Sequence, residues 1–153
     1  MPEINLYRSN TRQTLFVWRE GLHIGHEPID RQHQDIYEAL LGVSLLLKMP
    51  DVNVGYWLGM VSRKVEEYVQ THFQEEERLM AVVGYPDLLA HRRTHQHFVE
   101  TFQQHKDRIA RLTTAEEKLA EAHGLMDLLN GWFDTEVLLH DRDLVDFINN
   151  RKT

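Results

Sequence analysis

Apolar residues recur every three or four positions along most of this chain, and that spacing predicts helices. One stripe runs Ile29, His33, Ile36, Leu40, Val43 and Leu47. Residues three and four apart share one face of an α-helix, so the stripe predicts a first helix over 29–48. Pro50, Asp51 and Asn53 mark the turn after it. A second stripe, Trp57, Val61, Val65, Tyr68, His72, Glu76, Leu79 and Val83, predicts a helix over 55–83, with Gly84 as its C-cap. Tyr85-Pro86-Asp87 then turns the chain and opens the third helix. The third stripe is Leu88, His91, His95, Phe98, Phe102, His105 and Ile109. Thr114 and Glu117 have capping-box spacing. They precede a fourth stripe of Leu125, Leu129, Trp132, Glu136 and Leu139 or His140, and the tail from Leu144 to Ile148 reads as one last packed turn. No stretch alternates apolar and polar residues as a half-buried strand would. Four amphipathic helices on short connections predict an all-α fold, an up-down-up-down four-helix bundle. Residues 1–28 read as an irregular N-terminal arm packed on the bundle and anchored by Trp18 and Pro28, leaving 29–153 as the bundle of a single domain.

The polar members of these stripes need their own account. Burying a histidine or glutamate without a partner costs about 1–3 kcal/mol, and more if it is charged. His33 lies near the start of the first predicted helix, and His72 and Glu76 near the end of the second. His91 and His95 open the third, while Glu136 and Asp141 close the fourth. In an antiparallel bundle those four places lie at one end, so the polar residues converge on one layer. Imidazole with carboxylate suits iron, manganese or zinc. A single zinc would use only about four of these groups. With Glu76 and Asp141 each bridging and an added oxide or hydroxide, the set fills all but one position of two six-coordinate ions. The last position is open to a small ligand.

Composition narrows the chemistry further. The chain has 153 residues, 42% of them hydrophobic, which suits one domain with its own core. A formal charge of −7 argues against nucleic acid or an anionic membrane surface as partner. No apolar run approaches the roughly 18 residues of a membrane span. The first residues hold no apolar core of a secretory signal, so the expected location is cytoplasmic. There is no cysteine, which removes disulfides, thiolate zinc sites, iron–sulfur clusters and cysteine catalysis. Metal chemistry here must run on the ten histidines and on carboxylates. No Gly-x-Ser-x-Gly stretch, Gly-rich phosphate loop or His-Glu-x-x-His run points to hydrolysis.

Several stretches, taken together, resemble one family. They are Ile29-Asp30-x-x-His33, His72-Phe73-x-x-Glu76-Glu77-x-Leu79-Met80, Tyr85-Pro86, His91-x-x-x-His95-x-x-Phe98, and Trp132-Phe133 leading to Asp141. In order and spacing the chain resembles the bacterial hemerythrins, four-helix oxygen-binding proteins with a non-haem di-iron centre. The resemblance implies two iron ions with a bridging oxide or hydroxide, His33, His72, His91 and His95 as terminal ligands, and Glu76 and Asp141 as bridging carboxylates. It implies dioxygen as ligand, bound for storage, delivery or sensing. One departure stands out: the family's fifth histidine position is Glu136. Glu136 could ligate in its place, stand unbound, or yield to His140 one turn further on through a local shift of register. A ligating carboxylate adds negative charge, which stabilises ferric iron and favours autoxidation. That makes a di-iron oxidase, peroxidase or nitric-oxide-handling enzyme the first rival reading, and a redox-inert metal module the second.

Other candidates read as structural. His23 and His26 are expected to be exposed loop histidines, and His97 to face solvent. His105 is expected to be a hydrogen-bonded core or rim residue, and His123 is given no role. Tyr68 faces inward one turn before His72, as a hydrogen-bond partner of the site or as packing. Trp57 and Trp132 are expected in the core, Glu75 and Glu77 in solvent, and Glu116-Glu117 as favourable charge at a helix N-terminus.

Overall fold

The structure, a computed structural model, describes residues 23–151. Most of the arm expected at 1–28, Trp18 included, lies outside those residues. Its end is visible, and there the expectation shifts: α1 spans Glu27–Leu46, so Pro28 belongs to the first helical turn. Proline suits that turn because the first N–H groups of a helix have no internal partner. His26 caps α1, its Nδ1 accepting the Ile29 N–H at 3.4 Å. The buried Asp30 folds back to accept the N–H groups of Ile24 at 2.9 Å and Gly25 at 3.2 Å, which ties the entering chain to the helix.

The second rod is α2 (Val54–Tyr68), a π turn here named π1 (Val69–Phe73), and α3 (Gln74–Val83). Asn53 caps its start by accepting the Tyr56 N–H at 3.0 Å. Gly84 ends it in the left-handed conformation, φ 68°, as the C-cap reading expected. The third rod is α4 (Leu88–Arg111). The fourth is α5 (Ala115–Thr135), a second π turn, π2 (Glu136–Asp141), and α6 (Arg142–Arg151). Thr114 caps α5, accepting the Glu117 N–H at 3.1 Å. The segment from Leu144 to Ile148 is thus not a separate turn but part of the fourth rod. The π turn lets it continue in phase, with Leu144 and Val145 buried.

The rods pack as a bundle: α1 on α2, α2 on α5, α3 on α4, and α4 on α5. Tyr37, Leu40, Val61, Ala122, Leu125, Leu129 and Phe133 are fully buried within the core. Burying a side chain the size of leucine or phenylalanine contributes roughly 1.5–3 kcal/mol. Trp57 lies in this core as expected, its indole N–H donating to the Val43 carbonyl at 2.9 Å. Phe133 rather than Trp132 takes the central place on α5; Trp132 is half-buried and leans on Phe98 at 4.0 Å. Among the described residues no helix is long and apolar enough to cross a membrane.

Candidate metal centre

The buried polar residues of the described chain include all seven that the sequence singled out: His33, His72, Glu76, His91, His95, Glu136 and Asp141. They gather at one end of the bundle. His33 on α1 meets Asp141 on π2, Nε2 to Oδ2, at 2.6 Å. His72 on π1 reaches the same Asp141 oxygen at 3.2 Å and Glu76 Oε2 at 2.8 Å. His91 on α4 touches Glu76 Oε1 and lies 2.8 Å from Glu136 Oε1, and His95 lies 3.2 Å from that Glu136 oxygen.

The donors form two groups, His33, His72 and Asp141 in one, and Glu76, His91, His95 and Glu136 in the other. Two carboxylates span both. Glu76 turns Oε2 toward His72 and Oε1 toward His91. Asp141 turns Oδ2 toward His33 and His72 while Oδ1 lies 3.9 Å from His91. Glu136 turns one oxygen to the second group only.

The π turns make this convergence possible. In an α-helix residues five apart are rotated about 140° from one another, so Glu136 and Asp141 would face different ways. The i→i+5 bonding of π2 brings both inward. In π1 the wider turn lets the adjacent His72 and Phe73 both be buried, and it moves the buried face of α3 to Glu76 and Met80, leaving Leu79 and Val83 half-buried.

Outer hydrogen bonds orient the His72 and His95 rings. The Nδ1 of His72 lies 2.7 Å from the Gln32 carbonyl oxygen, while the Gln32 amide donates to Glu75 at 2.6 Å. Nδ1 of His95 lies 2.9 Å from Glu77 Oε1. A ring that donates from Nδ1 presents a lone pair at Nε2, the form that binds a metal ion. Glu75 and Glu77 are therefore not the solvent-facing neighbours the stripes implied. Each flanks the buried face closely enough to reach across to another helix or to a residue held by one. No spacing rule marks such rim residues. The only signal was their adjacency to Glu76, and for Gln32 its adjacency to His33.

Tyr68 stacks on the His72 ring, centroids 4.7 Å apart and planes 22° apart. Phe73 stacks on His95 at 3.8 Å and 3°. With Phe98, Trp132 and Phe133 they make an aromatic floor that separates the polar layer from the apolar core. His97 faces solvent, as expected. His105 is half-buried, 3.7 Å from Glu121, and His123 lies on α5 away from the site. His23 is half-exposed and 3.4 Å from Asp30.

Electrostatically the cluster calls for cations. Burial opposes charge on His72, yet the carboxylates of Asp141 and Glu76 overcome it and lift the ring to about 10. Burial likewise opposes charge on His91, and Glu136 and Glu76 lift it to about 10. Burial would raise Glu76 and Glu136, but the facing histidines hold both below the ordinary carboxylate range. Asp141 goes the other way, to about 6, through burial and the repulsion of Glu76. Both Glu76 oxygens, Asp141 Oδ1 and His91 Nε2 are buried without an aligned hydrogen-bond partner among the described residues. Orphaned donor atoms of three different rods, converging at short range, fit metal ions better than protons.

Residues 25–144 match the family described as the hemerythrin HHE cation binding domain. The chain belongs to the hemerythrin family. A bacteriohemerythrin from Clostridium acetobutylicum is 26% identical over 133 residues, covering 86% of this chain and 100% of that protein. One from Stenotrophomonas maltophilia is 31% identical over 133 residues, 86% of this chain and 80% of that protein. A myohemerythrin from Theromyzon tessulatum is 26% identical over 88 residues, 58% of this chain and 66% of that protein. No solved structure matches the chain at a significant level. The hemerythrin match takes in every residue of both donor groups.

Proposed function

We propose that this hemerythrin-family chain holds two iron ions, bridged by an oxide or hydroxide, and binds dioxygen there for storage, delivery or sensing. The observation that carries the reading is the pair of donor groups sharing Glu76 and Asp141. His33 and His72 would hold one ion and His91, His95 and Glu136 the other, with Glu76 and Asp141 facing both. The His33 and His72 group offers one protein donor fewer, so that side would be the one left for a small ligand. A ferrous pair supplies, when bound, the electrons that dioxygen binding needs and takes them back on release. Gln32 and Glu77 keep His72 and His95 in the ligating tautomer, and the aromatic floor excludes water from beneath.

A specific observation supports the rival enzymatic reading: a third carboxylate, Glu136, points into the cluster. Anaerobic iron loading followed by air, with iron counted per chain, separates the readings. Two irons and absorbance that appears in air and vanishes under vacuum support a reversible binder. Two irons that pass at once to a stable ferric spectrum favour oxidase or peroxidase chemistry, to be pursued by turnover of peroxide and nitric oxide. Metal uptake without any oxygen-dependent absorbance would leave a redox-inert metal module.

A further inference from the structure

The geometry points to His140 as a positioning residue that locks Glu136 into a one-oxygen donor, so that a glutamate and a histidine together do the work of a single ligating imidazole. The inference rests on the di-iron reading above and concerns Glu136, which stands where the family resemblance implies a histidine. An imidazole offers a metal a single nitrogen in a fixed direction. A carboxylate offers two equivalent oxygens and a side chain free to rotate. To stand in for histidine, Glu136 must have one oxygen withdrawn.

The structure shows that withdrawal. Glu136 Oε1 faces the donor group, 2.8 Å from His91 and 3.2 Å from His95. Glu136 Oε2 faces away and lies 3.0 Å from Nδ1 of His140. The bond spans i,i+4 across the wide turn of π2, so both residues are held by one backbone segment. His140 is outside both donor groups. Its ring is partly exposed and lines a polar cavity of about 400 Å³ with Tyr85, Asp87, Thr94 and Asp143. It packs edge-on against His91, centroids 5.7 Å apart. A neutral ring carrying its proton on Nδ1 suffices to donate, so the lock needs no change of charge. Of the three fates open to Glu136 in the sequence, the swing of His140 into the site is the one this arrangement opposes. The local change of register does occur, as π2, but it brings in Asp141 and sets His140 behind Glu136.

The test uses cobalt(II) as a spectroscopic probe in the full chain, with release to a chelator as the second readout. Loss of an outer hydrogen bond to a ligand weakens metal binding roughly 10- to 100-fold. His140→Ala should therefore release cobalt about that much faster and shift its coordination-sensitive visible bands as Glu136 turns its second oxygen inward. His140→Asn, which places an amide N–H near the Nδ1 position, should restore both. In a Glu136→His background His140→Ala should be silent. Unchanged bands and release in His140→Ala, or an equal effect in the Glu136→His background, would overturn the positioning role while leaving the two-metal reading intact. A wild-type chain that takes up neither cobalt nor iron would overturn that reading itself, and the lock with it. Helical circular dichroism of each variant separates a lost bond from a lost fold.

Discussion

At the scale of single residues, the proposed di-iron reading makes the charge of Glu136 the term that separates reversible oxygen binding from oxidase chemistry. One charge about 4 Å from a metal ion contributes on the order of 4 kcal/mol at an effective dielectric near 20. The sign favours ferric iron. Replacing Glu136 by histidine removes that charge and offers a single imidazole nitrogen in its place, so autoxidation should slow by at least about tenfold, since each ~1.4 kcal/mol is a factor of ten. The decay of the air-dependent absorbance measures it, and an equal or faster decay in Glu136→His would show that the carboxylate does not set the lifetime. A second residue-scale prediction concerns Glu77. Its carboxylate holds His95 through Nδ1 at 2.9 Å. Glu77→Ala frees that ring to rotate and change tautomer, so metal affinity should drop roughly 10- to 100-fold. Competition with a chelator of known affinity reads this directly, and unchanged affinity would mean that the floor of Phe73 alone orients His95.

At the scale of elements, the two π turns mark both what the sequence disclosed and what it hid. The four rods were legible because long 3.6-period stripes survive errors of a residue or two at their ends. The convergence of His33, His72, Glu76, His91, His95, Glu136 and Asp141 was legible because helix order alone places them at one end. The π turns leave no mark in the stripes themselves, although the spacing of Glu136 and Asp141 holds the clue. Five residues is out of phase in an α-helix, and both had to face inward. An unbroken 3.6-residue period puts Leu79 and Val83 on the buried face where the structure puts Met80, and makes Leu139 a core candidate although it is 57% exposed. Hydrogen bonds across helices, such as those of Gln32, Glu77 and His140, leave no periodic trace at all. A deletion experiment follows from the geometry. A π turn is an α-helix carrying one extra residue without rotation of its flanks. Deleting the exposed Leu139 should collapse π2 to an α-turn in which Glu136 and Asp141, now four apart, still share a face. Two metals per chain should be retained. Deleting Gly131 within α5 instead rotates everything beyond it by about 100° and should abolish metal binding. Equal loss in both deletions would mean that π2 is required for more than phase.

At the scale of the whole molecule, the layer of buried charge couples metal, protons and stability. Four histidines and three carboxylates are buried together at one end of the bundle. Without metal, that end is stabilised by protons on His72 and His91. His72 and His91 are both raised from the ordinary 6.5 to about 10. A base whose pKa is raised on folding contributes stability that is full below its unfolded value and lost as pH climbs through its folded one. Asp141, raised to about 6, acts in the same direction at lower pH, its contribution lost between about 4 and 6. The metal-free chain should therefore grow less stable from pH 7 to pH 10. Metal ions demand the opposite, because ligating histidines must be neutral, so binding releases protons and tightens as pH rises. Free metal at about a thousand times its dissociation constant adds about 4 kcal/mol. For a chain of this size each kcal/mol moves Tm by about 2–4 °C, so saturation should raise Tm by roughly 8–16 °C. The gap between loaded and metal-free Tm should widen from pH 6 to pH 9, as measured by thermal scans with and without a chelator. A gap that stays level or narrows would mean that the His72 and His91 protons are not what the metal displaces, and that the cluster is held neutral in the metal-free chain by some other pairing.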